Sequence, residues 1–159
     1  MKKIIYSTFT LVLLSVNILA YDNTKAEELN SFYSHMTQKA CADSKLFMPA
    51  EDVLKMLREK KDVTLLDVRT EAEAKIIAVS QKNALHFPIA HLFEKKNLDI
   101  LPKSEPIVVI CHSGTRATLA AIGLKRIGFT QVHVLKGGLV SLAIDNNPKN
   151  APVLSEKDI

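Results

Sequence analysis

The feature that most constrains the fold is an uninterrupted aliphatic run, Ile-Val-Val-Ile, at residues 107–110. It contains no polar residue that could face water, so a strand formed here has to be covered on both faces. Two mostly apolar runs, 63–68 and 132–135, have a similar character, and helical patterns separate the three. Buried strands that alternate with helices are typical of a parallel sheet. We therefore predict an α/β fold with helices on both sides of the sheet.

Shorter segments complete the alternation of strands and helices. Two further strand candidates are residues 46–48 and residues 84–87, the second of which is stopped by Pro88. Apolar residues at helical spacing predict the helices, together with Pro49 at a first turn and Gly128 at a stop. One predicted helix starts at Pro49. Three others span about 90–98, 118–127 and 138–144.

The first twenty residues have the layout of a secretory signal peptide. Met1-Lys2-Lys3 is a short basic start, and residues 4–20 carry no charge and are rich in aliphatic side chains. The run is short for a bilayer, although an uncleaved anchor remains an alternative. We predict cleavage after Ala20 and a periplasmic or secreted protein, which meets the membrane only through this segment before cleavage.

The next segment, residues 21–44, is predicted to be a helical extension. Thr24 and Glu27 have the spacing of a capping box, and apolar residues then recur at helical spacing. These residues are Leu29, Phe32, Tyr33 and Met36. We predict a helix over about 25–40, with this stripe packed against the domain.

Removal of the signal peptide would leave 139 residues, which suits one compact domain. We place this domain at residues 45–145 and a loose C-terminal tail at 146–159. Loss of Lys2 and Lys3 would leave 19 basic residues against 17 acidic ones, and the basic residues are scattered. This pattern does not indicate binding to nucleic acid.

Cys111 follows the clearest strand, at the end of the sheet where ligands bind in parallel folds. The residues between it and the next helix are His112, Ser113, Gly114, Thr115 and Arg116. A strand–loop–helix turn directs several N–H groups at one point and adds the positive end of a helix dipole, which stabilises an anion such as a thiolate. Gly114 allows the loop to close tightly, and Arg116 adds a permanent cation. The alternative is an inert, buried cysteine.

Three segments together resemble the rhodanese domain family in order and spacing. They are Leu-Leu-Asp-Val-Arg at 65–69, Cys-His-Ser-Gly-Thr-Arg-Ala at 111–117 and Val-Leu-Lys-Gly-Gly at 134–138. The resemblance covers about residues 45–144. It implies a five-stranded parallel sheet flanked by helices, and sulfurtransferase activity through a cysteine persulfide.

The resemblance also implies roles for individual residues. Cys111 would accept sulfane sulfur from a small anionic donor, such as thiosulfate or polysulfide, and pass it to a thiol or to cyanide. Residues 112–116 would form the substrate-binding cradle, with Arg116 as the side chain that contacts the donor. Asp67 and Arg69 would support the loop, or would form a purely structural ion pair. No cofactor is implied.

The chain departs from the family pattern in two places. The Gly-His-Ile-x-Gly-Ala segment that usually precedes the third strand is replaced by Val-Ser-Gln-Lys-Asn-Ala at 79–84. The tryptophan that commonly follows the Gly-Gly pair is absent, and Leu139 and Val140 stand there. Neither change touches the cysteine loop.

The remaining cysteine and histidines give no sign of a further site. Cys41 could pair with Cys111 only if their Cα atoms lay within about 7 Å, and we expect both thiols to be unpaired. The other histidines show no spacing typical of metal ligands, so we predict no metal site. They are His35, His86, His91 and His133.

Two other functions would use a similar cysteine loop. A cysteine phosphatase or arsenate reductase needs five residues between cysteine and arginine, whereas four lie between Cys111 and Arg116, and Ala117 holds the position that the arginine would need. Ile110 also replaces the histidine that usually precedes a phosphatase cysteine. Sulfur transfer is therefore favoured. A non-catalytic carrier that delivers sulfur to a partner protein stays open, because its loop would look the same.

Loop size gives a first prediction. Insertion of one glycine between Gly114 and Thr115 would create the phosphatase spacing and move the loop amides away from the sulfur. Removal of one aimed donor typically costs about a hundredfold or more in rate, so we expect a loss of at least that size in sulfur transfer. Paired kinetics with a sulfane donor and an aryl phosphate measure this effect. Efficient phosphate hydrolysis by the wild type would contradict the choice of enzyme class.

Overall fold

The computed structural model describes residues 21–146. The predicted signal peptide, and the predicted tail beyond Asn146, lie outside these residues. The described residues divide into two units, the first of which ends at His35 and the second of which begins at Met36.

The N-terminal unit contains helix α1, Asn23–Tyr33. Its cap is Asp22, whose carboxylate accepts a hydrogen bond from the Lys25 amide at 3.1 Å, so the expected capping box at Thr24 is not used. None of the residues of α1 is buried, and Leu29 and Tyr33 are exposed.

The single helix predicted over 25–40 is two helices. Helix α2, Gln38–Asp43, belongs to the second unit. The Thr37 side chain caps α2 by accepting a hydrogen bond from the Ala40 amide at 3.1 Å. Because an N-cap residue has extended rather than helical backbone angles, one continuous helix cannot run through Thr37.

The second unit is built around a five-stranded parallel sheet with strand order β1-β5-β4-β2-β3, which confirms the predicted fold class. The strands are β1 Phe47–Met48, β2 Thr64–Asp67, β3 Ala84–His86, β4 Ile107–Ile110 and β5 Val132–Leu135. The helices after α2 are α3 Ala50–Arg58, α4 Glu71–Ile76, α5 Lys95–Ile100, α6 Thr115–Arg126 and α7 Gly138–Asp145.

Two helices start at other residues than predicted, and one was not predicted. Helix α6 starts at Thr115, three residues earlier than expected, so Arg116 lies in its first turn. Helix α5 starts at Lys95, because Pro88 and the residues after it form hydrogen-bonded turns instead. Helix α4 has little apolar pattern, but Thr70 and Glu73 form a complete capping box at its start. This box starts a short helix of residues with high helix propensity that lack an apolar stripe.

Alternate residues of β4 pack into two separate cores. Ile107 and Val109 belong to the cluster that includes the buried face of α6. Val108 and Ile110 belong to the cluster that includes residues of α3. All four residues are at most 1% exposed, as expected for a strand covered on both faces. None of the helices within residues 21–146 is long and apolar enough to cross a membrane.

Parallel register brings the ends of the strands together at one edge of the sheet. Asp67 of β2 lies beside Ile110 of β4, so Arg69 and Cys111 both follow at this edge. Gly137 and Gly138 follow β5, the other neighbour of β4. The three segments that carry the family resemblance therefore meet in space.

The position of β2 inside the sheet, between β4 and β3, predicts how the free energy of unfolding responds to truncation of its side chains. Leu66 is fully buried, whereas Leu119 on α6 is 63% exposed. We expect Leu66→Ala to cost about 2–5 kcal/mol of unfolding free energy, because it leaves a cavity between packed layers. Leu119→Ala should stay within about 0.5 kcal/mol of the wild type. Urea unfolding of both variants measures the difference, and equal losses would contradict the assigned core.

Candidate active site

The sulfur of Cys111 is held by two backbone amides. The Gly114 N–H donates to Sγ at 3.1 Å, and the Ala117 N–H donates to it at 3.4 Å. Cys111 is only 1% exposed, so the sulfur lies at the base of the loop. From the sequence we expected an amide cradle, but Ala117 was not among its predicted members. The early start of α6 is what brings its amide to the sulfur.

Gly114 gives the loop its shape. Its φ is +108°, in the left-handed region that favours glycine, and it forms the N-cap of α6. The turn at this residue directs its own N–H inward, and its carbonyl accepts a hydrogen bond from the Thr118 hydroxyl at 2.9 Å. The other predicted cradle residues, His112, Ser113 and Thr115, are exposed.

The start of α7 supports the loop from the other side. The Leu139 N–H donates to the Cys111 carbonyl at 2.8 Å, and the Val140 N–H donates to the His112 carbonyl at 3.3 Å. Gly138 lies against the same two carbonyls with a φ of +63°, and a Cβ there would stand 2.5 Å from the His112 oxygen. The second glycine of the Gly-Gly pair is therefore needed for the loop and α7 to approach each other. The sequence identified the pair as a motif but did not reveal this contact.

Asp67 and Arg69 form a buried ion pair. The Arg69 guanidinium binds the Asp67 carboxylate, with 2.6 Å between Nη2 and Oδ2, and its backbone N–H donates to the same carboxylate at 3.0 Å. Arg69 Nη2 also donates to the Ile77 carbonyl at 2.7 Å. The hydrogen bond to Asp67 raises the pKa of Arg69. Asp67 and Arg69 thus form the ion pair that the sequence analysis gave as one of two alternatives, beside support of the loop. The contact with Ile77 also fixes the connection after α4.

Arg116 does not point freely into the loop. Its guanidinium binds the Glu73 carboxylate with both terminal nitrogens, at 2.6 and 2.7 Å. From the sequence we expected Arg116 to contact an anionic donor, and Glu73 was not singled out. The sequence signal that could have found Glu73 is the capping box with Thr70, which predicts where α4 begins.

A cavity of about 560 Å³ lies beside the loop. Most of its lining is apolar, and it includes His112, Ile77, Val79, Leu139, Val140 and Leu142. Residues of both segments that depart from the family pattern, 79–84 and 139–140, line this cavity. Its volume lies in the range of small-molecule sites, which is about 300–1,000 Å³.

Within residues 21–146, no group of three or more histidine, cysteine, aspartate or glutamate side chains is arranged to hold a metal ion. Cys41 is exposed and Cys111 is buried, and neither forms a disulfide bond.

The comparison with protein families matches residues 49–144 to the rhodanese-like domain. The chain belongs to the rhodanese-like family. The match lies within the domain predicted at 45–145 and includes the loop, both ion pairs and the Gly-Gly pair.

Relatives of this rhodanese-like chain differ in how much of their length it covers. It is 34% identical over 103 residues to a sulfurtransferase of Allochromatium vinosum, across 65% of this chain and 92% of that protein. It is 33% identical to a tRNA uridine(34) hydroxylase of Aster yellows witches'-broom phytoplasma, but spans only 32% of it. A solved rhodanese-related protein from Thermoplasma volcanium is 29% identical with a TM-score of 0.54, over 64% of this chain and 93% of that one.

The arrangement of the loop stabilises negative charge on one atom. Two N–H donors point at Sγ, and one of them lies in the first turn of α6, where the helix dipole is positive. Donors held in place before charge develops stabilise it at little cost of reorganisation. The site is therefore suited to a thiolate nucleophile.

The contact between Gly138 and the loop gives a prediction with a matched control. Gly138→Ala should shift the loop carbonyls, because the new Cβ meets backbone atoms, and should lower sulfur transfer at least about tenfold. Gly128 also has a positive φ, of +104°, but a Cβ there meets nothing within 4 Å. Gly128→Ala should cost about 1–3 kcal/mol of backbone strain, comparable to the strain in Gly138→Ala, with little loss of activity.

Melting curves and steady-state kinetics on both variants separate strain from loop displacement. Equal activity in the two variants, at similar stability, would show that the Gly138 contact does not set the shape of the loop.

Proposed function

We propose that this chain is a sulfurtransferase that moves sulfane sulfur from a small sulfur-containing anion to a thiol or to cyanide through a persulfide on Cys111. The observation that carries the proposal is the pair of amide hydrogen bonds to Cys111 Sγ. Family membership and the name of the Allochromatium vinosum relative support the same reaction class. From the signal-peptide pattern of residues 1–20, we propose that the reaction takes place in the periplasm or outside the cell.

The reaction needs no external oxidant or reductant. With thiosulfate, the Cys111 thiolate attacks the outer sulfur, a bond forms between Sγ and that sulfur, and sulfite leaves with the electron pair of the broken S–S bond. The persulfide then carries the negative charge on its terminal sulfur. Cyanide attacks this sulfur, thiocyanate leaves, and the Cys111 thiolate is restored. The reaction is thus split into two displacements at sulfur, as in other covalent catalysis.

The four-residue spacing between Cys111 and Arg116 supports sulfur rather than phosphate as the transferred group. The loop amides converge on Sγ itself, with the Gly114 N–H at 3.1 Å. A tetrahedral oxyanion needs donors aimed at positions beyond the nucleophile. The two amides on Sγ therefore hold the nucleophile itself, which suits a small transferred group better than a tetrahedral oxyanion.

A sulfur carrier differs from an enzyme in turnover, not in loop geometry. A carrier would accept one sulfur per chain and release it only to its partner protein. An enzyme forms many molecules of thiocyanate per chain from polysulfide and cyanide. We expect repeated turnover, because the loop is exposed at His112, Ser113 and Thr115 and small acceptors can approach it.

Replacement of Cys111 tests the proposal. Cys111→Ser should abolish thiocyanate formation, because a hydroxyl cannot form the persulfide, while the serine keeps the fold by accepting the same two amide hydrogen bonds. Cys41→Ser is the matched control, since Cys41 is exposed and remote in sequence from the loop, and it should retain wild-type rates. Thiocyanate formation from polysulfide and from thiosulfate, with melting curves, provides the readout. Near-wild-type turnover by Cys111→Ser would overturn the mechanism.

A further inference from the structure

We propose that the cavity between α3, α7 and the connection after α4 binds an uncharged aliphatic molecule, and that this ligand acts on the Cys111 loop through the first turn of α7. The inference goes beyond the proposed function. Cys111 packs with residues of α6 and is not among the described residues that line the cavity. We therefore assign the cavity to a regulatory ligand and not to the sulfur donor or acceptor.

The cavity extends from the core of the domain to its surface. Leu54 and Leu65 line it and are at most 9% exposed, whereas Ile77 and Ile144 line it and are 59% and 63% exposed. Its volume of about 560 Å³ suits a small organic molecule. Exposed aliphatic side chains around a recess that reaches the core are typical of a ligand site, because a ligand that covers them removes apolar surface from water.

The lining of the cavity determines the chemical class of the ligand. No aspartate, glutamate, lysine or arginine is among the described residues that line it. An ionised group placed there would lose its water without gaining a partner of opposite charge, which is costly. Ser80 and Gln81 line the cavity and are exposed, so their side chains can bond a hydroxyl or carbonyl group. The lining therefore favours a neutral molecule with an aliphatic body and one hydrogen-bonding group.

Both segments that depart from the family pattern contribute to this cavity. Residues 79–81 of the first segment line it, as do Leu139 and Val140 of the second. A tryptophan at position 139 or 140 would bring a larger side chain into the same space. The cavity is therefore formed in part by the residues that distinguish this chain from the family pattern.

The wall of the cavity is bonded directly to the cysteine loop. Leu139 and Val140 lie in the first turn of α7, and their side chains line the cavity while their N–H groups hold the loop. The Leu139 N–H donates to the carbonyl of Cys111 itself at 2.8 Å, and the Val140 N–H donates to the carbonyl of His112 at 3.3 Å. One turn of helix thus has the cavity on one side and the loop on the other.

This arrangement couples a ligand in the cavity to the shape of the loop. A ligand that packs against Leu139 and Val140 restrains the backbone whose N–H groups hold the loop carbonyls. The amides that stabilise charge on Cys111 Sγ belong to the same loop and its helix. Donors that are held in place before charge develops stabilise it better, so the ligand should act as an activator. Coupling of this kind typically changes an equilibrium by about fivefold or more.

The first test is a binding measurement on the wild-type protein with two matched probes, n-octanol and octanoate. n-Octanol should bind saturably and at least about tenfold more tightly than octanoate, because the ionised carboxylate finds no cation in the cavity. Titration calorimetry gives the affinities. The backbone amide resonances of Leu139 and Val140 should shift with the same saturation curve, since their hydrogen bonds to the loop respond to the ligand.

Two variants show whether the cavity is the site. Ala143 is exposed on α7 and lines the cavity, so Ala143→Trp should fill part of it and weaken n-octanol binding at least about tenfold. The chain contains no other tryptophan, so blue-shifted emission reports that the new ring is covered. Leu119→Trp is the matched control, because Leu119 is 63% exposed on α6 and does not line the cavity. It should bind n-octanol as the wild type does.

The second test measures the effect of the ligand on the loop. Saturating n-octanol should raise kcat/KM for thiocyanate formation about fivefold in the wild type and in Leu119→Trp. In Ala143→Trp the same concentration should change the rate less than twofold. An equal response in Ala143→Trp would show that n-octanol acts elsewhere, and would overturn the inference.

The remaining outcomes separate the inference from the proposed function. Octanoate that binds as tightly as n-octanol, or a loss of binding in both tryptophan variants, would contradict the assigned site. Binding without any change in the Leu139 and Val140 resonances would contradict the coupling to the loop. If the wild type transfers no sulfur, the proposed function fails, whereas the binding curves and the two amide resonances still decide the inference.

Discussion

Parallel pairing of β4 between β2 and β5 is the constraint on which the site depends. Because the three strands run in one direction, the segments that follow them meet at one edge, with Arg69 after β2, Cys111 after β4 and Gly138 after β5. The loop then needs only local contacts: two amides on Sγ from one side and the start of α7 on its carbonyls from the other. Rigid strands below a short loop hold the donors in place before charge develops, which is the condition for effective electrostatic stabilisation.

Charge compensation is the second organising feature. The buried pair of Asp67 and Arg69 joins the end of β2 to the connection after α4, and the pair of Glu73 and Arg116 joins α4 to α6. A buried charge is tolerated only when it is paired and hydrogen-bonded, as Asp67 and Arg69 are, whereas the pair of Glu73 and Arg116 is about a third exposed. These two ion pairs therefore tie the segment after β2 to α6 and to the connection after α4.

The local sequence pattern was sufficient to predict the buried strands of the sheet. The bounds of β4 and β5 agree with the predicted runs, because residues that are mostly β-branched favour a buried strand. Helix α4 was missed because it is short and has little apolar pattern, although a capping box marks its start. The contact between Glu73 and Arg116 joins residues 43 positions apart, so no local pattern reveals it. The Ala117 amide was missed because backbone groups carry no side-chain signature.

The most direct measurement of the central claim is peptide mass spectrometry of the wild-type protein after incubation with polysulfide, before and after addition of cyanide. If Cys111 is the sulfur acceptor, the peptide that contains it gains one sulfur atom, loses it when cyanide is added, and thiocyanate appears in equal amount. The Cys41 peptide should stay unchanged under the same conditions. Sulfur found on Cys41 alone, or sulfur on Cys111 that cyanide does not remove, would contradict the account.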